Sequence, residues 1–173
     1  MKYRTVVTKR LFPVHDARNL TELIREKAVW TPSQSSDRRD LLGVESAFYD
    51  LDDGSWWPLH GYCEKFLRRA NERWRFKLTD WEQPLRAVRY RKGGHHEWHT
   101  DYSEVDGSKL SFSCVLSTDY EGGEMQFMDV PDPVLLDVGQ AAVFPAYVPH
   151  RVNRIKRGER LALLGWMTGP RFR

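Results

Sequence analysis

The sequence has few cysteines and no long apolar run, and both absences narrow the classes of protein that it can encode. Only Cys63 and Cys114 occur among 173 residues, too few for a disulfide framework or a four-cysteine metal site. No segment approaches the roughly 18 consecutive apolar residues of a membrane-spanning helix, and no apolar run with a small-residue cleavage site follows the N-terminus. We therefore expect a cytoplasmic protein without a membrane span, in which His, Asp or Glu side chains hold any bound metal.

The composition is typical of one folded domain. The 7 Trp, 7 Tyr and 8 Phe residues, within a hydrophobic fraction of 40%, are too many for a disordered chain. A chain of this length can bury one core, so we predict a single domain over residues 1–173. The net charge is only +3, but 19 of the 27 cationic residues are Arg, which binds carboxylates and phosphates through two parallel hydrogen bonds.

Residues 1–85 predict a supporting region with two amphipathic helices. In the first helix, apolar residues recur at helical spacing from Leu20 to Ala28, and Asp16 or Asn19 is a candidate N-terminal cap. The second helix has one apolar face and one charged face, and we interpret the apolar face as core packing. The apolar face consists of Leu59, Cys63, Phe66, Leu67, Ala70 and Trp74.

From residue 86 onward, short extended segments alternate with Gly, Pro and Asp, a pattern that predicts strands. The predicted strands are 86–91, 97–102, 110–116, 124–127, 134–136, 141–144, 150–155 and 161–167, with 5–11 and 44–51 as extra strands on the flank. Eight short strands at this spacing indicate a β-sandwich or jelly roll. The predicted fold class is therefore mainly β (α+β), with the catalytic core over residues 86–170.

One His-x-Asp pair has the spacing of a metal site on a strand. His99 and Asp101 are two residues apart, so a strand presents both side chains on one face. Two imidazoles and one carboxylate on one face of a metal leave three positions open, as in non-haem Fe(II) oxygenases. His150 is the only histidine after position 99 and begins a later predicted strand, so it is the candidate for the second imidazole. Arg160 follows ten residues later, where it can bind the far end of a dicarboxylic acid.

Further residues fit around this group in a fixed order. A Tyr-x-x-Gly motif stands nine residues before His-x-Asp, a segment ending in Gly-Gly-Glu follows, and the distal His precedes a basic residue by ten positions and a Trp by sixteen. The matching residues are Tyr90, Gly93, His99, Asp101, Gly122, Gly123, Glu124, His150, Arg160 and Trp166. On this pattern, residues 90–167 resemble the catalytic core of the Fe(II)- and 2-oxoglutarate-dependent oxygenases, and most of all the prolyl 4-hydroxylase-like branch.

The resemblance implies a double-stranded β-helix core and a hydroxylase that uses Fe(II), 2-oxoglutarate and O2 and releases succinate and CO2. It implies that Fe(II) is bound by three residues, namely His99, Asp101 and His150. It also implies that Arg160, with the Tyr90 hydroxyl, binds the distal carboxylate of 2-oxoglutarate, and that Trp166 belongs to the same cofactor pocket. Ascorbate is a candidate reductant.

Three positions bear on the reaction and the substrate. Prolyl hydroxylases commonly have Tyr three residues before the first metal ligand, whereas this chain has His96, so proline is not assumed. Asp101 stands where related halogenases have a small residue, which favours hydroxylation. Trp166 stands where the nucleic-acid demethylases tend to have a second Arg, so we expect an amino-acid side chain in a protein, a peptide or a free amino acid rather than a nucleic acid. The predicted substrate contacts are His96, Tyr102, Arg151 and Trp56.

Other interpretations stay open from sequence alone. His95 and Glu97 form a second His-x-acid pair that could supply ligands. A non-catalytic jelly-roll module could bind nucleic acid or another anionic partner through its arginines and aromatic residues. A zinc enzyme on the same scaffold is a third interpretation. The joint presence of four residues at the offsets above favours the oxygenase, namely His99, Asp101, His150 and Arg160.

Overall fold

The structure, a computed structural model, describes residues 5–33, 41–49, 57–102 and 107–171. Within these ranges there are two helices, α1 (Val14–Lys27) and α2 (Trp57–Ala70), and a 3-10 turn follows α2 (Asn71–Arg73). The strands are β1 (Val7–Arg10), β2 (Thr31–Pro32), β3 (Leu41–Tyr49), β4 (Leu85–His99), β5 (Ser108–Val115), β6 (Tyr120–Gly122), β7 (Met125–Phe127), β8 (Gln140–Pro145), β9 (His150–Val152), β10 (Ile155–Gly158) and β11 (Arg160–Thr168).

Helix α1 begins earlier than the sequence periodicity indicates. Its first residue is Val14, after an N-cap at Pro13 whose side chain makes no capping hydrogen bond. The prediction that Asp16 or Asn19 caps this helix is therefore wrong. Asp16 instead lies in the first turn, where a negative charge interacts favourably with the helix dipole. The buried face consists of Ala17, Thr21 and Ile24.

The strands form an antiparallel sheet that curls into a roll. Its main path runs β1-β8-β5-β11-β4-β3-β2, while β9 pairs with both β4 and β7, and β10 pairs separately with β6. Strand β4 pairs with β11 over its first half and with β9 at its end, so one strand contributes to both sides of the roll. This is the double-stranded β-helix that the sequence predicts.

Several strand boundaries differ from the prediction. The predicted strand 86–91 and residues 97–99 of the predicted strand 97–102 form one continuous strand, β4, because Gly93 has a positive φ of 86° and the pairing shifts register nearby instead of breaking. Residues 100–102 are not part of a strand, so that end of the prediction is wrong. The predicted strand 134–136 is wrong, since only Val134 forms an isolated bridge, to Met125. The predicted strand 150–155 divides into β9 and the start of β10. Residues 50 and 51 of the predicted strand 44–51 lie outside the described residues.

The main hydrophobic core lies between the two helices and one face of the large sheet, so the predicted supporting role of the helices is confirmed. Cys63, Leu67 and Ala70 of α2 are buried against β4, β5, β8 and β11. The rest of the predicted apolar face, Leu59, Phe66 and Trp74, packs against the same cluster. Both cysteines are buried and unpaired, and burial raises the pKa of each thiol. Among the described residues, no helix is both long enough and apolar enough to cross a bilayer.

Replacing Leu163 by Ala tests the central position of β11 in this core. Leu163 is fully buried, and lies opposite Ala87 on β4 and Cys114 on β5. We expect L163A to lower the free energy of unfolding by about 2–5 kcal/mol, because the truncation leaves a cavity. The measurement is urea unfolding followed by circular dichroism. The control is L135A, at a residue that is 78% exposed, which should change stability by less than about 0.5 kcal/mol. Equal stability of the two variants would contradict this account of the core.

Candidate active site

Three side chains with metal-binding chemistry meet at one end of the roll. His99 is the last residue of β4, Asp101 follows it by two positions, and His150 is the first residue of β9. The β4–β9 pairing places His99 directly opposite His150. One ligand atom from each of the three side chains lies within 4.8 Å of the other two, and the described part of the chain has no second such group. The three residues predicted from their spacing therefore form a cluster in the structure.

Main-chain carbonyls fix the orientation of both imidazoles. Nδ1 of His99 lies 2.8 Å from the Glu97 carbonyl oxygen, and Nδ1 of His150 lies 3.0 Å from that of Val148. A carbonyl only accepts hydrogen bonds, so each Nδ1 carries the proton and each Nε2 presents a lone pair. The Nε2 atoms lie 3.6 Å (His99) and 3.7 Å (His150) from the two carboxylate oxygens of Asp101. The three ligand atoms thus face a common point.

The electrostatics of the triad favour the protonation states that a metal requires. Burial alone would raise the pKa of Asp101, but His150 and His99 outweigh it, and the pKa lies below its usual value. Burial lowers the pKa of His150, and His99 adds to this effect, against the opposing influence of Asp101. The His150 imidazole is therefore neutral and the carboxylate ionised at neutral pH, so both are ready to bind a cation.

A cavity of about 290 Å³ opens onto the triad. On β4, alternate side chains point into it, so Arg86, Val88 and Tyr90 form one wall. The remaining wall residues are mostly apolar, among them Val44, Phe112, Met125, Phe144, Val152, Leu164 and Trp166. The triad therefore lies at the edge of a space that has many apolar side chains in its wall.

Arg160 is a buried cation beside this cavity. It is 1% exposed, pairs with Tyr90 across β11 and β4, and its guanidinium carbon lies 5.4 Å from the centre of the Tyr90 ring. Its Nε and Nη1 atoms have no hydrogen-bond partner among the described residues. Unpaired buried charge is costly, so these atoms fit an anionic ligand. Gly123 leaves room for the side chain, because a Cβ there would lie 3.0 Å from Cδ of Arg160.

Arg160 lines a second, larger cavity of about 690 Å³ and not the triad cavity itself. Met125 lines both cavities. Tyr90 lines the triad cavity and lies against the Arg160 guanidinium. Arg160 therefore lies between the two cavities, because it lines the larger one and contacts Tyr90, which lines the triad cavity.

Trp166 and Arg86 form a further contact in the triad cavity. Trp166 is buried there, as expected for a pocket residue. The guanidinium carbon of Arg86 lies 4.5 Å from the centre of its ring. The sequence analysis missed Arg86, although the two-residue alternation of a strand, counted back from Tyr90, places it on the same face.

The four predicted substrate residues have different positions. His96 lines the triad cavity, and its ring is stacked on that of His99 with 3.5 Å between centroids. Burial and His99 lower the pKa of His96 to about 3, so its imidazole is neutral. Arg151 binds Gln126 and lies over Trp98, on the opposite face of β9 from His150. Tyr102 is not among the described residues that line the cavity, and Trp56 lies outside the described residues.

The second His-x-acid pair is separate from the triad. Nε2 of His95 lies 3.4 Å from a carboxylate oxygen of Glu97, and its Nδ1 lies 3.1 Å from the Gly93 carbonyl oxygen. His95 and Glu97 are thus engaged with each other and with the main chain, and they do not belong to the cluster of ligand atoms.

The strands form a curled antiparallel roll, and two imidazoles and one carboxylate meet at one end of it. This ligand set is typical of non-haem metal sites, in which three coordination positions stay free. Residues 85–168 match the sequence profile of the 2OG-Fe(II) oxygenase superfamily. A PKHD-type hydroxylase of Idiomarina loihiensis is 35% identical over 85 residues, which cover 46% of this chain and 39% of that protein. The aligned part therefore spans less than half the length of this relative.

Solved structures show the same fold over nearly the whole chain. A prolyl-4-hydroxylase of Pseudomonas putida superposes with a TM-score of 0.72 at 22% identity, over 96% of this chain and 93% of that one. A prolyl hydroxylase of Trichoplax adhaerens, in complex with a peptide fragment of the hypoxia inducible factor oxygen degradation domain, gives 0.76 at 16% identity, over 95% and 84%. Residues 85–168 therefore carry the core of the 2OG-Fe(II) oxygenase superfamily, and the fold of the chain is that of the solved prolyl hydroxylases. The predicted family and cofactors, Fe(II) and 2-oxoglutarate, are confirmed.

Removal of one triad side chain tests the metal site. Loss of a side chain that hydrogen-bonds to a metal ligand weakens metal binding by about 10- to 100-fold. H99A and D101A each remove a ligand itself, so we expect a larger loss of Fe(II) affinity. The measurement is anaerobic isothermal titration calorimetry. The control is H15A, because the side chain of His15 is 76% exposed. An unchanged affinity in either triad variant would show that the metal binds elsewhere.

Proposed function

We propose that the protein is an Fe(II)- and 2-oxoglutarate-dependent dioxygenase that hydroxylates an amino-acid side chain, in a peptide or protein or in a free amino acid. Succinate and CO2 are the co-products. The observation that carries the proposal is the convergence of His99, Asp101 and His150 at one end of a cavity whose neighbour contains the buried, unpaired guanidinium of Arg160. Superfamily membership supports it.

In this proposal the triad holds Fe(II). The His99 and His150 imidazoles supply neutral nitrogen ligands, Asp101 supplies the carboxylate, and three positions stay open. When bound, Fe(II) and 2-oxoglutarate supply the oxidation chemistry, and the protein supplies placement. The Phe127 and Phe144 rings pack 5.8 and 4.5 Å from the His150 ring, so the imidazole has little freedom to turn. The metal ligands are therefore pre-organised.

Arg160 and Tyr90 orient the co-substrate. The Arg160 guanidinium donates two parallel hydrogen bonds to the distal carboxylate of 2-oxoglutarate. Burial raises the pKa of Tyr90 against the opposing effect of Arg160 and Arg86, so its phenol stays protonated and donates a further hydrogen bond. With its distal carboxylate held by Arg160 and Tyr90, the co-substrate would have its oxoacid end free to reach the triad.

The cavity wall keeps water away from the reacting atoms. Val88, Phe112, Phe144 and Leu164 surround the space next to the triad with apolar surface. A dry cavity strengthens the electrostatic contacts of Asp101 and prevents side reactions with water. The walls thus favour transfer of oxygen to a bound substrate.

The proposed substrate class follows from the relatives, and one residue of the cavity limits it. The matched relative is named a PKHD-type hydroxylase, and two structural neighbours are prolyl hydroxylases, one with a bound peptide. A residue of a peptide or protein is therefore the first candidate. His96 lines the cavity where prolyl hydroxylases commonly have Tyr, so proline is one candidate among several. Arg151, Tyr102 and Trp56 stay predicted substrate contacts.

The alternative function, a non-catalytic module for an anionic partner, gives no role to the triad or to the buried guanidinium of Arg160. Such a module would bind DNA or RNA in a strongly salt-dependent manner without iron. Metal analysis of anaerobically purified protein separates iron from zinc on this scaffold.

Turnover tests the proposed activity directly. We expect Fe(II)-loaded protein, given 2-oxoglutarate, O2 and pools of peptides and free amino acids, to form succinate and to add one oxygen atom to at least one pool member. Mass spectrometry detects the added oxygen, and D101A provides the matched control without activity. The absence of succinate, with or without a pool, or equal turnover by D101A would overturn the proposal. Omission of ascorbate from parallel reactions tests whether this reductant is needed.

Arg160 can be tested apart from the metal. We expect R160Q to raise the 2-oxoglutarate concentration for half-maximal succinate formation at least about tenfold, because a charge-assisted pair is lost. R160K should lie between R160Q and the unchanged protein, since Lys retains the charge but not the planar fork. Fe(II) affinity should not change. R157Q is the control, because the side chain of Arg157 is 77% exposed. An unchanged 2-oxoglutarate requirement in R160Q would contradict the assigned role.

A further inference from the structure

Arg86 is a cation in the wall of the triad cavity, and the mechanism above does not use it. It lies opposite Leu164 on β11, on the same face of β4 as Tyr90. Its guanidinium carbon lies 4.5 Å from the centre of the Trp166 ring and 5.3 Å from that of Phe48. An arginine held against aromatic rings keeps its N–H groups for a ligand in its own plane. The two rings therefore hold the guanidinium of Arg86 in place, with its N–H groups available to a ligand.

The guanidinium of Arg86 makes no hydrogen bond or ion pair with a described carboxylate, although the charges of Asp101 and Glu82 act on it. Its Nε atom is fully buried without a hydrogen bond. Burial lowers the pKa of Arg86, against the opposing effects of Tyr90 and Asp101, so desolvation already disfavours the charge. A desolvated cation without a partner is costly unless a ligand anion offsets it.

Arg86 lines the triad cavity, whereas Arg160 lies outside that lining, in the second cavity. Arg160 is paired with Tyr90, and Arg86 lies four residues before Tyr90, a distance of about 13 Å along a strand. Trp166, the ring beneath Arg86, lies six residues beyond Arg160 on the antiparallel strand β11. A 2-oxoglutarate bound at Arg160 and directed to the triad therefore leaves Arg86 for a different anion.

The charges of Fe(II), of 2-oxoglutarate and of the side chains that bind them or line the cavity sum to one positive charge. The two charges of Fe(II) and that of Arg160 balance ionised Asp101 and the two carboxylates of 2-oxoglutarate. The phenol of Tyr90 and the imidazoles of His96 and His150 are neutral. Among the described lining residues, Arg86 is then the one cation left without a balancing charge, since Glu82, whose charge also acts on it, does not line the cavity. One carboxylate neutralises this charge, and a phosphate dianion overcompensates it.

We propose that Arg86 binds a carboxylate of the substrate and thereby selects substrates with one negative charge close to the carbon that is oxidised. The carboxylate belongs either to the α-carboxyl group of a free amino acid or chain terminus, or to an acidic side chain next to the target residue of a peptide. The cavity of about 290 Å³ is small enough to keep this group near the triad. The inference rests on the proposed function, because it places the substrate in this cavity.

Binding without turnover tests the proposal. The anaerobic complex of the protein with Fe(II) and 2-oxoglutarate has a metal-to-ligand absorption band, which a ligand next to the metal shifts. Two matched pairs serve as probes, with proline chosen because the fold is that of prolyl hydroxylases. N-acetylproline and N-acetylprolinamide test an α-carboxylate. N-acetylglutamylprolinamide and N-acetylglutaminylprolinamide test an acidic side chain.

We expect the acid of at least one pair to bind about tenfold or more tightly than its neutral partner, and the pair that responds identifies the source of the carboxylate. R86Q should abolish the preference, and R86K should keep part of it. R91Q is the matched control, because Arg91 is exposed on the same strand and does not line the cavity. The 2-oxoglutarate affinity of R86Q should stay unchanged.

Three results would overturn the role of Arg86. The first is that neither acid binds more tightly than its neutral partner, which includes no binding of either. The second is an acid preference that survives in R86Q. The third is a rise in the 2-oxoglutarate requirement of R86Q, which would assign Arg86 to the co-substrate. Failure of the proposed function is distinct, because the absorption band would then not form in the unchanged protein.

Discussion

The antiparallel pairing of β4 with β11 and with β9, two of its three partner strands, is the constraint on which the site depends. Its first half pairs with β11 and brings Arg160 opposite Tyr90, and its last residue pairs with β9 and brings His99 opposite His150. A shift of one residue in either pairing would turn these side chains to the other face of the sheet. The backbone hydrogen bonds of one strand therefore determine the positions of both the His99–His150 pair and the buried Arg160 guanidinium.

The same strand separates stabilising residues from functional ones. Leu85 and Ala87 face the helices and belong to the main core, while Arg86 and Tyr90 face the cavity. Burial of Asp101, Arg86 and Arg160 opposes folding, because charges lose their hydration. The apolar cluster beneath the helices offsets this cost. Sites that bind ions and oxidise substrates tolerate such local destabilisation because the rest of the fold satisfies the usual packing rules.

Sequence alone predicts those site residues that lie close to one another along the chain. The two-residue spacing of His99 and Asp101 predicts that their side chains converge, and they do, although β4 ends at His99 and Asp101 lies just beyond the strand. The role of Arg160, ten residues after His150, stays a prediction. The start of α1 was wrong because Pro13 begins the helix without a capping side chain. Arg86 was missed because only the pairing of β4 with β11 brings it onto Trp166, eighty residues away. Long-range register, more than local preference, was the missing information.

The hydrogen bonds that orient the two histidines have a consequence for divergence within such a family. Their acceptors are the main-chain carbonyls of residues 97 and 148, not side chains. Every amino acid carries this carbonyl, so replacements at either position leave the acceptor in place. Metal geometry is therefore buffered against mutation, while neighbouring side chains such as His96 and Arg86 are free to change. An oxidising centre of this kind can acquire new substrates without being rebuilt.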